Sequence, residues 1–268
     1  MGTSLKSLHI KSDNNRLYAV IHSPSENCKT IRSHAVVICS PIAHEHTASY
    51  WAVRQLANRL SKLGFDVVRF DYFATGNSTG LSQQLTLKTC AQNIVDVAQF
   101  LLKKSDCEKV SLIGLRLGAM LASMSAKSLS PDQLILWDPV IDGERLLTQL
   151  ATMHKNYLDK MYRTGPHQHT LGQEYLGYPY SDNLLAELNQ VQLDKVELPV
   201  DTSLSILSSP NNEEQKQFIE KISDTRSNFQ NEILTEGAIN WQDIGVLESS
   251  FLPGQSINQI CNLLKTER

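Results

Sequence analysis

Two patterns of hydrophobic and polar positions alternate along the chain. Short continuous apolar runs, typical of strands covered on both faces of a sheet, lie at His34–Ser40, Phe65–Asp71, Val110–Ile113 and Gln133–Trp137. Between these runs the apolar residues recur at helical spacing, and Gly64 ends the first helical stretch. Because strands and helices alternate, the pattern predicts a doubly wound, mostly parallel sheet of the α/β class.

Two parts of the chain depart from this alternation. Leu5–Ile10 and Leu17–Ser23 predict a hairpin at one edge of the sheet. From Asp142 to about Asn189 the periodicity weakens, while Met, His and Tyr become frequent. Strand and helix patterns resume at Ser203–Leu207, Glu213–Ile222, Asn231–Leu234 and Ile257–Leu264. We therefore predict a single domain over residues 1–268 with a short lid insertion at about 143–190.

Composition and charge narrow the class of protein. A hydrophobic content of 41% and a charged content of 20% are ordinary for a globular protein. The net charge of −3 argues against nucleic acid as a partner, and no apolar run is long enough to predict a membrane span. The five cysteines form no CxxC motif, so we predict no disulfide framework, no metal site and no cofactor. These features favour a cytoplasmic location.

The segment Lys109–Leu121 combines a strand pattern, a turn and the start of a helix. Gly114 and Gly118 bracket the turn, and Arg116 is its middle residue. Such a turn holds its middle residue in a strained conformation above the sheet edge, and the glycines let helix and strand pack closely. In hydrolases with this turn the middle residue is a nucleophile, Ser, Cys or Asp. Arg116 in that place decides most of the functional interpretation.

This turn, Ser40-Pro41 after one predicted strand and the loop Asp71–Ser78 after the next resemble the serine-aminopeptidase-like branch of the α/β-hydrolase superfamily. With Trp137–Gly143 added, the chain is most similar to proteins of the exosortase A system-associated hydrolase 2 type. The resemblance is good over roughly residues 35–145. The resemblance implies an α/β-hydrolase fold. It also implies a role linked to gene clusters for exopolysaccharide or protein sorting.

A hydrolase of this fold needs nucleophile, acid and histidine in that order along the chain. No histidine follows His169, and the segment expected to carry the base reads Gly237–Asp243. The segment expected to carry the acid, Ser208–Glu213, contains no Asp. A guanidinium neither attacks a carbonyl nor relays a proton, because its pKa stays above about 12. The sequence therefore predicts that hydrolysis by a Ser-His-Asp triad is absent.

Two roles for Arg116 stay open. At a helix N-terminus, its fork and the backbone amides of the turn, including that of Leu117, would form a binding site for a carboxylate or phosphate. Alternatively, Arg116 forms an internal ion pair with Asp138 or Glu45 that holds loops together.

His44, Glu45 and His46 are expected in the loop that normally supplies an oxyanion-hole amide. The two histidines are candidates for a general base or for metal ligands, and the alternative is an exposed polar loop. Glu45 resembles an acidic residue found in this loop of the exosortase-associated relatives.

Other candidates are isolated along the sequence. Ser40 and Ser78 are possible nucleophiles without an adjacent base, and Cys39 is expected to be inert core packing. His167 and His169 form a second HxH pair, for which surface polarity is the simpler interpretation.

Two functions follow as hypotheses. The first is a pseudo-hydrolase that binds an anionic or acyl-type small molecule, or a partner or carrier protein, without hydrolysing it. The second is an enzyme of acyl chemistry, such as a thioesterase, esterase or acyltransferase, that uses a site around Arg116 and residues 44–46 in place of a triad.

Overall fold

The computed structural model describes residues 4–25, 28, 30–161, 174–210, 212–234, 239–241, 243, 245 and 253–265. The strands are β1 Ser4–Ser12, β2 Asn15–Ser23, β3 His34–Cys39, β4 Asp66–Phe70, β5 Lys109–Leu115, β6 Gln133–Trp137, β7 Glu174–Tyr175, β8 Tyr178–Pro179, β9 Ser203–Ser208 and β10 Phe229–Ile233. The helices are α1 Ala43–Lys62, α2 Leu87–Ser105, α3 Leu117–Leu129, α4 Gly143–Met161, α5 Asp182–Gln190, α6 Glu213–Ser223 and α7 Gly254–Lys265.

One eight-stranded sheet organises the chain, in the order β1-β2-β4-β3-β5-β6-β9-β10. β2 is antiparallel to both β1 and β4, whereas every pair from β4 to β10 is parallel. The predicted mostly parallel, doubly wound sheet and its edge hairpin are therefore confirmed. Within the described residues, no helix is long and apolar enough to cross a membrane.

The core lies in two layers because successive side chains of a strand point to opposite faces. In β3, Ala35 and Val37 pack with the residues of α2 and α3, while Val36 and Ile38 pack with those of α1 and α7. All six residues of β3 are buried, which explains why a continuous apolar run marks this strand. Because β3, β5, β6 and β9 are parallel to one another, their carboxyl ends lie at one edge of the sheet.

The insertion between β6 and β9 contains α4, the two-stranded hairpin of β7 and β8, and α5. Asp142 caps α4, since its Oδ1 accepts a hydrogen bond of 3.1 Å from the backbone N–H of Arg145. Residues 162–173, including His167 and His169, lie outside the described residues. The extent of the lid and the division of the chain into domains stay predictions.

One structural expectation is wrong: His44, Glu45 and His46 lie in the first turns of α1 and not in a loop. The buried side of α1 begins with Glu45, Ala48 and Ser49 before any large apolar residue appears. A hydrophobic pattern does not register small or charged residues as buried, so it places the helix start too late.

Candidate functional site

The turn between β5 and α3 has the strained geometry that its glycines predict. Arg116 has φ 55° and ψ −122°, a conformation that costs a non-glycine residue about 1–3 kcal/mol. A Cβ atom on Gly114 would lie 2.4 Å from the Cα atom of Ala119, and one on Gly118 would lie 2.1 Å from the backbone oxygen of Cys39. The glycines are thus required for the close approach of α3 to β5 and β3.

The guanidinium of Arg116 is buried, with 6% of the residue exposed. Its Nε donates a 3.0 Å hydrogen bond to Oε1 of Glu45, and its Nη1 donates a 3.4 Å bond to the backbone oxygen of Asp138. The guanidinium carbon lies 5.1 Å from the centre of the Trp241 indole ring, a cation–π contact. Of the two expected ion-pair partners, Glu45 is the one found, whereas Asp138 contributes only its carbonyl.

The Asp138 carboxylate is 1% exposed and is fully occupied by other donors. Oδ1 accepts from the Ser209 N–H at 3.3 Å and from Nε2 of Gln215 at 2.9 Å. Oδ2 accepts from the Ser209 hydroxyl at 2.9 Å and from the indole N–H of Trp241. This set of donors compensates the burial of the carboxylate without Arg116.

Trp241 connects the two charged residues, with its ring face against Arg116 and its N–H on Asp138. It belongs to the segment in which the sequence places the missing base. An indole N–H donates a hydrogen bond but has no lone pair to accept a proton. Trp241 therefore makes the contact to an acid that a catalytic histidine would make, without supplying basicity. Sequence reasoning missed this role, as it missed those of Ser209 and Gln215.

Arg116 lies at one wall of a cleft of about 680 Å³ at the carboxyl edge of the sheet, between α4, α6 and residues 239–241. Arg145 and Glu214 line the cleft and form an ion pair of 2.5 Å. Asp142 also lines it and accepts from Gln192 Nε2 at 3.0 Å. The cleft therefore has a polar, charged wall in which most carboxylates already have donors.

The structure separates the residues of the 44–46 segment. Glu45 faces Arg116, whereas Nε2 of His46 lies 3.9 Å from Oδ1 of Asp71. Both ring nitrogens of His44 are buried without a hydrogen-bond partner among the described residues. Burial lowers the pKa of both His44 and His46, which keeps the imidazoles neutral at pH 7. Within the described part of the chain, no group of three His, Cys, Asp or Glu residues is placed to hold a metal ion.

The remaining candidates have different surroundings. Ser40 is buried and lines a cavity of about 20 Å³ with His46 and Asp71, but no hydrogen bond among the described residues joins its hydroxyl to His46. The Ser78 hydroxyl donates a 2.7 Å hydrogen bond to the backbone oxygen of Asp71, so it stabilises the loop after β4. Burial raises the pKa of the Cys39 thiol, so this residue is not a thiolate at neutral pH. Leu117 is 1% exposed at the first position of α3, where only its backbone amide is available as a donor.

Solved structures with the same arrangement of elements are numerous. The chain is similar to a hypothetical protein of Pseudomonas aeruginosa, with a TM-score of 0.68, 12% identity, and coverage of 98% of this chain and 94% of that one. It is similar to an esterase of Pyrococcus furiosus, with a TM-score of 0.65, 16% identity and coverage of 98% and 91%. It is also similar to an α/β serine hydrolase of Xanthomonas campestris described as having no lid, with a TM-score of 0.62, 13% identity and coverage of 99% and 94%. At these identities the likeness shows the fold alone, and that fold is the α/β-hydrolase fold.

At the level of sequence, no curated protein matches the chain. A family model described as acyl transferase matches residues 6–169, which is more than half of the 268 residues. The model spans the hairpin, the strands β3 to β6 and the turn that carries Arg116. The chain therefore belongs to this acyl transferase family.

Proposed function

We propose that this chain is a non-hydrolytic binding protein that holds the anionic end of an acyl-type small molecule against Arg116. One observation carries the proposal: a strained turn at the sheet edge places a guanidinium beside a cleft of about 680 Å³. Hydrogen bonds to described residues use Nε and Nη1 of that guanidinium, which leaves Nη2 as a donor for a ligand.

The contacts around Arg116 support binding over hydrolysis. An arginine takes the place of a nucleophile in the turn, and the residue that contacts Asp138 from the expected base segment is Trp241. Neither side chain takes up a proton at neutral pH. Retaining the strained turn and a wide cleft without these chemical groups fits a role in which recognition has replaced bond cleavage.

Glu45 bears on the type of ligand because it already neutralises Arg116. A ligand carboxylate that binds Nη2 shares the guanidinium with Glu45, so its affinity depends on the unused edge of the fork and on the helix N-terminus of α3. If Arg116 is only an internal cation for Glu45, the cleft has no free positive charge and anionic ligands gain nothing there.

A second candidate function, acyl chemistry at a site without a triad, is favoured by His44. Its imidazole lacks hydrogen-bond partners among the described residues, and burial lowers its pKa, with Glu45 opposing and Arg116 reinforcing the shift, so it is neutral. An unpartnered neutral imidazole has the properties of a general base. The finer resemblance to exosortase-associated proteins also stays a prediction.

The test compares binding of straight-chain carboxylates with binding of their methyl esters, by calorimetry on wild type, Arg116→Ala and Arg54→Ala. Arg54 is a matched control because it is a cation of α1 that does not line the cleft. We expect wild type and Arg54→Ala to prefer the carboxylate, and Arg116→Ala to lose about 2–5 kcal/mol of binding free energy for it. Equal binding of acid and ester by wild type, or unchanged binding by Arg116→Ala, would overturn the proposal.

Hydrolysis is followed on the same samples. Release of product from the methyl esters or from acyl thioesters by wild type, abolished in His44→Gln, would favour the second candidate. Fluorophosphonate labelling of Ser40 would point to a nucleophile outside the turn.

A further inference from the structure

A second cavity, of about 310 Å³, lies on another side of the first turns of α1. Its walls come from residues 41–43, 46 and 47, from residues 74–76, 82 and 85 after β4, and from residues 178–180 and 184 of the insertion. This volume is at the lower end of the range for small-molecule sites, about 300–1,000 Å³. Arg116 and the other charged residues of the cleft are not part of its described wall, so it is a separate cavity.

The described wall of this cavity contains no Asp, Glu, Lys or Arg. Apolar side chains, among them Ile42, Leu85 and Leu184, form much of it. Two ionisable wall residues are neutral at pH 7, because burial lowers the pKa of His46 and raises that of Tyr180. A charged ligand would lose its hydration here without gaining a partner of opposite charge.

The polar side chains of the wall are one imidazole and five hydroxyls, those of His46, Thr47, Thr75, Ser82, Tyr178 and Tyr180. The hydroxyls of Thr47 and Tyr178 share a 2.7 Å hydrogen bond that ties α1 to the insertion beside the cavity. The Thr75 hydroxyl donates to the backbone oxygen of Tyr72 at 2.8 Å and keeps a lone pair free as an acceptor. A mainly apolar wall with a small number of hydroxyls suits an uncharged molecule.

Helix geometry explains why the two cavities differ. Ala43, His46 and Thr47 share one face of α1 because residues three and four apart are neighbours on a helix. Glu45 points in another direction, toward Arg116 and the charged cleft. The start of α1 thus lines the uncharged cavity and also supplies the ion-pair partner of Arg116, which lines the charged cleft.

We propose that the cavity formed by residues 41–43, 46, 47, 74–76 and 178–180 is a binding site for an uncharged, mainly apolar small molecule such as an aliphatic alcohol. This site does not use Arg116 and goes beyond the function proposed above. It is carried by the cavity volume, the described wall without charged residues and the ordered hydroxyls of Thr47, Tyr178 and Thr75.

The test measures binding of alkan-1-ols from butanol to dodecanol by calorimetry. In wild type, each added methylene should tighten binding about fourfold until the cavity is filled, after which the affinity should level off. Thr47→Trp should fill the cavity and weaken binding at least about tenfold. Thr148→Trp is the matched control, since Thr148 is an exposed helical threonine on the wall of the charged cleft.

Unchanged alkanol affinity in Thr47→Trp, or an equal loss in Thr148→Trp, would overturn the site. A rise in affinity with chain length that never levels off would indicate a surface and not an enclosed cavity, with the same consequence. Should Thr47→Trp fail to fold, Ser82→Trp introduces the same ring from the loop side of the cavity. Alkanols carry no anionic end, so the two proposals are tested independently. Absence of alkanol binding would not bear on the Arg116 site, and absence of carboxylate binding would not bear on the uncharged cavity.

Discussion

The cleft at Arg116 and the cavity at Thr47 differ in charge, although the start of α1 contacts both: Thr47 lines the cavity, and Glu45 pairs with the arginine of the cleft. The cleft at Arg116 has an ion pair at its inner wall and another, between Arg145 and Glu214, at its side. The cavity at Thr47 has a described wall without formal charge. The comparison shows that position at the carboxyl edge of the sheet does not determine what a cavity can bind. The side chains that a helix turns toward each cavity determine it.

The largest expected effect comes from breaking the buried ion pair of the cleft. Replacing either Arg116 or Glu45 by Met leaves one buried charge without its partner, so each single variant should lose about 3–5 kcal/mol of unfolding free energy. The double variant Glu45→Met/Arg116→Met should recover most of the loss, because an apolar pair of similar volume needs no compensation.

Denaturant unfolding of the four proteins measures this coupling. If the double variant is as unstable as the sum of the single variants, the pair is not the unit that the structure indicates. Alkanol binding at the uncharged cavity should be unchanged in every variant that folds, which ties the effect to the charged cleft.

A smaller effect is expected from restoring catalytic groups to the cleft. Arg116→Ser alone should give no turnover of activated aryl esters, since the indole of Trp241 still occupies the contact with Asp138. Arg116→Ser/Trp241→His places a hydroxyl and an imidazole at two neighbouring positions, where the guanidinium carbon now lies 5.1 Å from the centre of the indole ring. We expect turnover about 10²-fold above the uncatalysed rate, from general base catalysis.

Both variants are made with Glu45→Gln, because a lone Glu45 carboxylate would otherwise remain buried. Initial rates of aryl ester hydrolysis are the measurement. Turnover in Arg116→Ser without the new histidine would reveal a base already in place, with His44 the first to replace.

The smallest effect concerns pH and distinguishes the uncharged cavity from the cleft. Burial lowers the pKa of His46 below its usual value of 6.5, with Asp71 opposing and Arg69 reinforcing the shift. The neutral form is the one present in the alkanol-binding protein at pH 7. As the pH falls below 6.5 toward the folded-state pKa, protonation places a charge on the wall and alkanol binding should weaken.

The free energy of unfolding should fall over the same pH range. The His46 pKa is higher in the unfolded chain, so lowering the pH protonates the unfolded chain first and favours unfolding. His46→Gln should give alkanol affinities that change less over this range. An identical pH profile in both proteins would show that His46 does not face the bound alkanol.

Much of the fold was predictable because its signals are local. β6 is found at Gln133–Trp137 as the apolar run predicts, and Gly64 has the positive φ of 97° of a residue that ends a helix. The strained turn at Arg116 was predictable for the same reason, since glycines at fixed spacing report a close approach of backbones.

The site was less predictable because its contacts join distant segments. Nothing local links Asp138 to Ser209, Gln215 and Trp241, which lie just after β9, within α6 and after β10. Glu45 was one of two partners considered for Arg116, and only the packing of α1 against the turn selects it. The uncharged cavity has no signature in sequence, because its wall combines side chains from segments that are far apart along the chain.

Glu45 gives the Arg116 site an internal competitor. The carboxylate is attached to the same chain and is held within 3.0 Å of the guanidinium, so it is present whether or not a ligand has arrived. If a ligand needs the edge that Glu45 occupies, its apparent dissociation constant equals its intrinsic one divided by the fraction of molecules in which Glu45 has swung away. Weakly binding or dilute anions would then leave the site empty. Only a ligand whose other contacts offset the free energy of displacing Glu45 would bind.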